Sequence, residues 1–330
     1  MDLSTTYLGL RLRNPVVASA GPVTSTADGI RALADAGVGA VVLPSLFEEQ
    51  LRRESDRDSE LAAAGTESFP EALSYLPEVA FDMWPHQYLH LIEKAAEAAG
   101  VPVIASLNGA SPGGWTGYAA AMQDAGAAAI ELNVYYLTAD PLIPARDAER
   151  RYTEILGAVR AAVRIPVAVK IGPYFSSPGE MAARLDAAGA DGLVLFNRFM
   201  QTDIDPETVT ASQGFRLSSR AEAALPRAWI SRLRGTVRCS LAASTGVETW
   251  ADVAAYLLAG ADVVMTTSAL LRRGPQYAGD LVDGLAAWMG RKGFAAVTEL
   301  RGMLSAAAGH PVPGRTGYLS AIEQATRAFG

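Results

Sequence analysis

The chain has 330 residues, of which 50% are hydrophobic, and its formal net charge at pH 7 is −7. An acidic chain is a poor partner for nucleic acid or an anionic membrane, so neither is expected as its target. No apolar run reaches the ~18 residues of a transmembrane helix, and the N-terminus lacks the basic and apolar segments of a signal peptide. We therefore expect a cytoplasmic protein that acts on a small molecule, with a homodimer as the candidate assembly.

Short apolar runs alternate with stretches of helical periodicity along the chain. Runs that are apolar throughout are typical of parallel strands buried on both faces. Eight strand–helix units favour an α/β fold of the (β/α)8 TIM-barrel type, formed by residues 1–330 as a single domain. The predicted strands are Pro15–Ser19, Ala40–Leu43, Val101–Leu107, Ala128–Asn133, Pro166–Ile171, Gly192–Asn197, Cys239–Ser244 and Asp262–Thr267.

Three connections are too long to be simple loops. They are Pro44–Pro85, which includes a predicted helix around Glu48–Ser59, then Val134–Arg146 and Arg198–Pro226. All three follow strands, so they should extend the C-terminal face, where barrel enzymes carry their active sites. At the other end, Thr5–Leu12 reads as a hairpin that closes the barrel floor.

Polar residues end four consecutive predicted strands: Asn108, Asn133, Lys170 and Asn197. The chain has only four asparagines and three lysines, so this convergence on one rim indicates a functional site. An unpaired buried ammonium is costly, so Lys170 should have an anionic or electron-rich partner. Two partners suit it, namely the edge of a reduced flavin and a substrate carbonyl that forms a Schiff base.

The segments after the last two strands indicate a phosphate site. Barrels often bind phosphate there through backbone N–H groups at helix N-termini. Ser244-Thr245-Gly246-Val247 and Thr267-Ser268-Ala269-Leu270 offer hydroxyls, a small turn and a helix start.

Taken together, these motifs resemble the dihydroorotate dehydrogenase family over nearly the whole chain. The matching segments are Asn14–Gly21, Glu131–Asn133, Val169–Phe175, Phe196–Asn197, Ser244–Val247 and Thr267–Leu270. The resemblance implies an FMN-dependent oxidoreductase that transfers hydride between a small molecule and the flavin, on a CH–CH group and in pyrimidine metabolism. The resemblance and the polar strand ends together predict that FMN is bound by Ser19, Ala20, Gly21, Asn108, Asn133, Lys170, Asn197, Ser244, Thr245, Gly246, Thr267 and Ser268.

The substrate half departs from the family pattern. Tyr136 stands where the family has a Cys or Ser base, and because a phenol titrates near ~10 it suits proton donation better than abstraction. We expect Tyr136 and Lys170 to be the catalytic residues. Pro44 stands where the family has a lysine, and 81–88 lacks the family's asparagines.

Two other functions remain open: a flavin-binding protein without turnover and a lysine-dependent aldolase-type barrel. Trp84, His86 and Tyr88 are either substrate-pocket residues or packing on the rim. No metal site is expected from His86 and His90, which lack a third ligand. The acidic pair in the sixth connection, Asp203 and Asp205, is expected to be solvated. The lone Cys239 is expected to be a small buried residue.

Overall fold

The structure is a computed structural model that describes residues 1–53, 85–111, 113–200, 202–214, 216–310 and 315–329. Its strands are β1 (Thr5–Tyr7), β2 (Leu10–Leu12), β3 (Val16–Ala18), β4 (Ala40–Phe47), β5 (Val103–Gly109), β6 (Ala129–Val134), β7 (Val167–Ile171), β8 (Gly192–Leu195), β9 (Thr202–Asp205), β10 (Thr210–Gln213), β11 (Ser240–Ala243) and β12 (Val263–Thr266). Its helices are α1 (Ala27–Asp35), α2 (Pro85–Ala98), α3 (Tyr118–Asp124), α4 (Ala145–Ala162), α5 (Pro178–Ala187), α6 (Ala224–Leu233), α7 (Trp250–Ala259), α8 (Ser268–Arg273), α9 (Tyr277–Lys292), α10 (Val297–Leu300) and α11 (Arg315–Phe329).

Eight of the strands close into a parallel barrel in the order β3-β4-β5-β6-β7-β8-β11-β12. The predicted (β/α)8 barrel is thereby confirmed, and each predicted strand overlaps an observed one. Five helices or helical turns end in an Ala-Gly pair whose glycine has a positive φ, from 61° to 124°. Glycine adopts this left-handed conformation without the penalty of a Cβ, so these pairs end the helices before the next strand.

The N-terminal hairpin closes the floor of the barrel, as the sequence predicts. Strands β1 and β2 pair around Leu8 and Gly9, both with positive φ. Tyr7, Leu8 and Leu12 are buried against inward-facing residues of the barrel strands. The apolar floor leaves the opposite, C-terminal mouth as the open end.

Strand β4 continues beyond its predicted end at Leu43, across Pro44 to Phe47. Proline has no N–H for the ladder and is tolerated in sheets mainly at bulges, and the β4–β5 register shifts between Val42 and Ser45. At this shift in the β4–β5 ladder, the N–H of Ser106 donates to the buried hydroxyl of Tyr88 on α2, at 2.8 Å.

The three long connections lie after β4, β6 and β8. Residues 48–53 are helical and fit the start of the predicted Glu48–Ser59 helix, whose remainder lies outside the described residues. Residues 135–144 form neither helix nor strand, and the third connection contains the β9–β10 hairpin. Within the described ranges, the helices are all too short or too polar to cross a bilayer.

Candidate active site

Three neighbouring strands present polar side chains at one level of the barrel mouth. Asn108 of β5 lies opposite Asn133 of β6 in the parallel register, and Asn133 lies opposite Lys170 of β7. Adjacent strands are about 4.8 Å apart, so the three side chains form a continuous row. Asn197, just after β8, donates from Nδ2 to Oδ1 of Asn133 at 2.9 Å. The structure therefore brings together the four polar strand ends that the sequence identified.

Lys170 has a protein partner, Glu131. Its ammonium donates from Nζ to Oε1 of Glu131 at 3.2 Å, and the two residues are 8% and 1% exposed. An ammonium carries three donors. This bond is its one hydrogen bond within the described part of the chain, so two donors remain for a ligand at the mouth. The expectation that Lys170 needs an anionic partner is met within the barrel.

A second polar layer lies one step below this row. Ser106 of β5 is fully buried and pairs in register with Glu131 of β6, while its hydroxyl is 2.8 Å from that of Ser45 on β4. Sequence reasoning missed this layer. The signal was available, because Ser106 and Glu131 stand two residues before Asn108 and Asn133 and so share their inward face.

The ends of β3 and β12 are joined by Thr267. Its hydroxyl donates to the carbonyl of Ser19 at 2.8 Å and to that of Ala20 at 3.2 Å. Gly21 lies so close that a Cβ there would be 2.4 Å from the Thr267 methyl carbon. The structure thus places Ser19, Ala20, Gly21 and Thr267 together, and it uses the Thr267 hydroxyl to bind backbone.

The two predicted phosphate loops are linked by Ser218, which sequence reasoning did not single out. Its hydroxyl donates to Oγ of Ser268 at 3.0 Å and accepts the N–H of Gly246 at 3.2 Å. Ser218 comes from the long connection after β8, where no periodicity marks it. The neighbouring Thr245 has a φ of 81° and donates its hydroxyl to the Phe196 carbonyl at 3.2 Å, while the N–H of Ser244 donates to the Leu195 carbonyl at 2.8 Å.

The Thr245 and Thr267 hydroxyls already donate to carbonyls, and the N–H groups of Ser244 and Gly246 are also bonded, so the backbone N–H groups at the start of α8 are the donors that we expect to meet a phosphate. Helix α8 begins at Ser268, directly after β12. The first N–H groups of a helix have no carbonyl partner within it. Phosphate binding at this point stays a prediction, with backbone N–H groups as the expected donors.

Gly246 is required by the protein's own packing. Its φ is +73°, and an added Cβ would lie 2.7 Å from the Ala223 nitrogen and 2.9 Å from the Ser219 oxygen. We expect Gly246→Ala to lower the free energy of unfolding by about 1–3 kcal/mol more than Gly293→Ala, because it adds overpacking. Gly293 is the matched control, with a φ of +79° and open space around it.

Denaturant unfolding of the two variants measures this difference. Equal losses would show that the backbone around Ala223 moves aside freely. A flavin deficit in a Gly246 variant must be interpreted together with its stability.

Tyr136, the predicted proton donor, lines a cavity of about 260 Å³ beside the mouth. The Arg151 guanidinium lies over its ring at 4.1 Å from the centroid. Four more aromatic side chains contribute to the lining: Tyr152, Tyr174, Phe175 and Phe199. The charged residues among the described lining are both acidic, Asp140 and Glu149.

The rim beside β5 is fixed by Glu48. Its buried carboxylate accepts the N–H groups of Ala110 at 2.9 Å and Ser111 at 3.2 Å. Burial alone would raise the pKa of Glu48, but hydrogen bonds from Ser111 and Ala110 outweigh burial and lower the pKa. The link therefore stabilises the fold above the unfolded pKa of this carboxyl and is lost only as the pH falls through the lower, folded value.

The remaining candidate residues lie away from the mouth row or outside the described residues. Trp84 is not described, and Tyr88 is a buried packing residue. His86 and His90 are exposed, and within the described ranges no three potential ligands gather for a metal. Asp203 and Asp205 are exposed, as expected. Cys239 is half-buried rather than buried, and burial together with Asp186 raises its pKa to about 12.

The structure defines a (β/α)8 barrel with a row of polar side chains at its mouth. The chain belongs to the dihydroorotate dehydrogenase family, whose model, described as dihydroorotate dehydrogenase, matches residues 2–289.

Relatives match along most of the chain. The catalytic subunit of dihydroorotate dehydrogenase B (NAD(+)) from Methanothermobacter thermautotrophicus is 28% identical over 308 residues, which cover 91% of this chain and 98% of that protein. The same subunit from Methanocella arvoryzae is 29% identical over 275 residues, covering 82% and 87%. The NAD-dependent dihydropyrimidine dehydrogenase subunit PreA from Escherichia coli K12 is 24% identical over 319 residues, covering 92% and 76%.

Proposed function

We propose that this protein is an FMN-dependent oxidoreductase that transfers hydride between a small molecule and the flavin, acting on a CH–CH group. The observation that carries the proposal is the Lys170 ammonium, buried at the mouth next to Asn133, with two donors that have no partner among the described residues. Membership in the dihydroorotate dehydrogenase family supports the same chemistry.

The donor set at the mouth fits FMN. Lys170 and the amides of Asn108, Asn133 and Asn197 would meet the polar edge of the ring, with Ser19, Ala20 and Gly21 approaching through backbone. The phosphate would lie against Ser244, Thr245 and Gly246 and the α8 N-terminus at Thr267 and Ser268. When bound, the flavin supplies the hydride acceptor or donor. The chain's own groups then bind, orient and move protons.

Tyr136 is proposed as the group that moves the proton on the substrate side. It lies two residues beyond β6, which carries Asn133, and it lines the cavity beside the mouth. Arg151, stacked on its ring, holds the phenol in place. A phenol is a suitable general acid for a reaction that returns a proton to the substrate.

The cavity also favours one kind of substrate. Its lining is aromatic, and the charged groups among its described lining residues are carboxylates, of which Glu149 is paired with Arg184 at 3.1 Å. A neutral or cationic molecule with a flat apolar part would pack well there. An anionic one would meet the carboxylate of Asp140.

The aldolase alternative is disfavoured by the ion pair, because a Schiff base would consume the amine that Lys170 uses to bind Glu131. Flavin binding without turnover remains the second candidate. Two relatives are named as catalytic subunits and a third as the subunit PreA, so a protein complex could supply the electron acceptor.

The test begins with the absorption spectrum of the purified protein, where flavin bands are expected. Anaerobic screening of small hydride donors, followed by flavin bleaching, then separates an enzyme from a flavin carrier. A colourless protein that takes up no added FMN would refute the proposal, and photoreduction without bleaching by any donor would favour the carrier.

A further inference from the structure

Glu131 is a buried charged residue just below the mouth, and the reaction described above does not use it. It faces the barrel interior on β6, one layer below Asn133. Its Oε1 accepts the Lys170 ammonium at 3.2 Å, whereas its Oε2 is buried and has no hydrogen-bond partner in the described part of the chain.

The other titratable groups that sense Glu131 are two buried tyrosines. Tyr7 lies on the barrel floor, and Tyr88 reaches in from α2. Burial raises the pKa of each phenol, and the negative charge of Glu131 adds to both shifts. Both are therefore neutral, and the hydroxyl of Tyr7 is itself buried without a partner among the described residues. This leaves Lys170 as the counter-charge of Glu131.

The dependence is mutual. A buried carboxylate is costly unless it is paired, and half of this one lacks a hydrogen bond. A buried amine without an opposite charge favours its neutral form. Removing the carboxylate would therefore leave the Lys170 amine buried without its counter-charge and without the acceptor that holds it at the mouth.

We propose that Glu131 is a positioning residue, which holds the Lys170 side chain at the barrel mouth as an ammonium from below while a ligand binds it from above. The proposal rests on the flavin function proposed for the same site. It assigns Glu131 a part in the reaction although its side chain does not reach the open mouth.

The first test needs no flavin and uses the small number of lysines. The protein as purified is acetylated with limiting acetic anhydride, and the three lysine peptides are quantified by mass spectrometry. Lys94 and Lys292 are exposed and serve as internal references. We expect Glu131→Gln to raise the reactivity of Lys170 by at least about tenfold, because the neutral amine is the reactive form.

Two further variants make this comparison specific. Glu131→Asp keeps the charge but withdraws it by one methylene, so Lys170 should be intermediate in reactivity between wild type and Glu131→Gln. Asp252→Asn removes an equally buried carboxylate that pairs with Arg220 at 3.0 Å. It should leave Lys170 unchanged, and it controls for general loosening of the fold.

The second test is the reduction potential of the flavin-loaded protein. Glu131→Gln should shift the equilibrium at least tenfold toward oxidised flavin, about 30 mV for a two-electron couple. A purely structural role would lower stability without moving this potential.

The outcomes separate the two proposals. A wild-type protein without flavin refutes the proposed function, while the acetylation series still decides the role of Glu131. Equal Lys170 reactivity in wild type and both Glu131 variants would overturn that role, as would an unchanged potential in folded, loaded Glu131→Gln. If Glu131→Gln does not fold, wild type and Glu131→Asp give the deciding pair.

Discussion

Replacing Lys170 with alanine is expected to slow reduction of the flavin by about 10²–10³-fold, the loss typical of removing one donor to a developing negative charge. The ammonium has two donors left after its bond to Glu131, and the reduced ring would gain negative charge at the edge they meet. Stopped-flow absorbance under anaerobic conditions, with a donor found by screening, measures the rate.

The same substitution is also expected to destabilise the fold. It leaves the Glu131 carboxylate buried without its counter-charge, and breaking a buried pair from one side typically costs about 3–5 kcal/mol. The double variant Lys170→Met with Glu131→Gln removes both charges and should recover most of this loss. Its rate should stay low, because stability returns and the positive charge does not.

This pair of variants distinguishes an electrostatic role from a structural one. Recovery of both stability and rate in the double variant would show that Lys170 only maintains the barrel. Covalent trapping of a substrate on Lys170 by borohydride would instead support the aldolase alternative.

The barrel could be predicted from sequence because its signals are local. Each strand is a short apolar run, and the glycine after each helix marks the next turn. The polar row was visible for a similar reason. Asn108, Asn133 and Lys170 each interrupt an apolar strand near its end, and parallel strands bring such ends to one rim.

The parts that sequence reasoning missed depend on contacts between distant segments. The pairing of Glu131 with Lys170 requires the β6–β7 register, which the sequence does not state. Ser218 lies in a connection without periodicity and meets its partners only in the folded chain. Strand β4 continues past Pro44 beside Ser106, whose N–H donates to Tyr88 of a distant helix.

Pro44 and Tyr136 also bear on the choice of substrate. Pro44, which we predict to replace the family's lysine, lies within β4 at the shifted register. Tyr136, which we predict to replace the family's base, lines the cavity that also contains Asp140 and Glu149. The segment 81–84, which lacks the family's asparagines, lies outside the described residues.

We expect this protein not to oxidise dihydroorotate efficiently. Buried dihydroorotate would lack the polar partners that the family's lysine, asparagines and Cys or Ser base provide. Each buried polar group left unpaired costs about 1–3 kcal/mol. Asp140 in the cavity lining would add like charge near the carboxylate of dihydroorotate, whereas Glu149 is already paired with Arg184. The measurement is anaerobic bleaching of the flavin with dihydroorotate as the only donor, with photoreduction as the control for a competent flavin. Rapid bleaching at micromolar dihydroorotate would contradict this expectation and show that the substrate binds in a pocket that these residues do not line. Bleaching by a neutral or cationic donor, and not by dihydroorotate, would support an altered substrate pocket beside a retained flavin site.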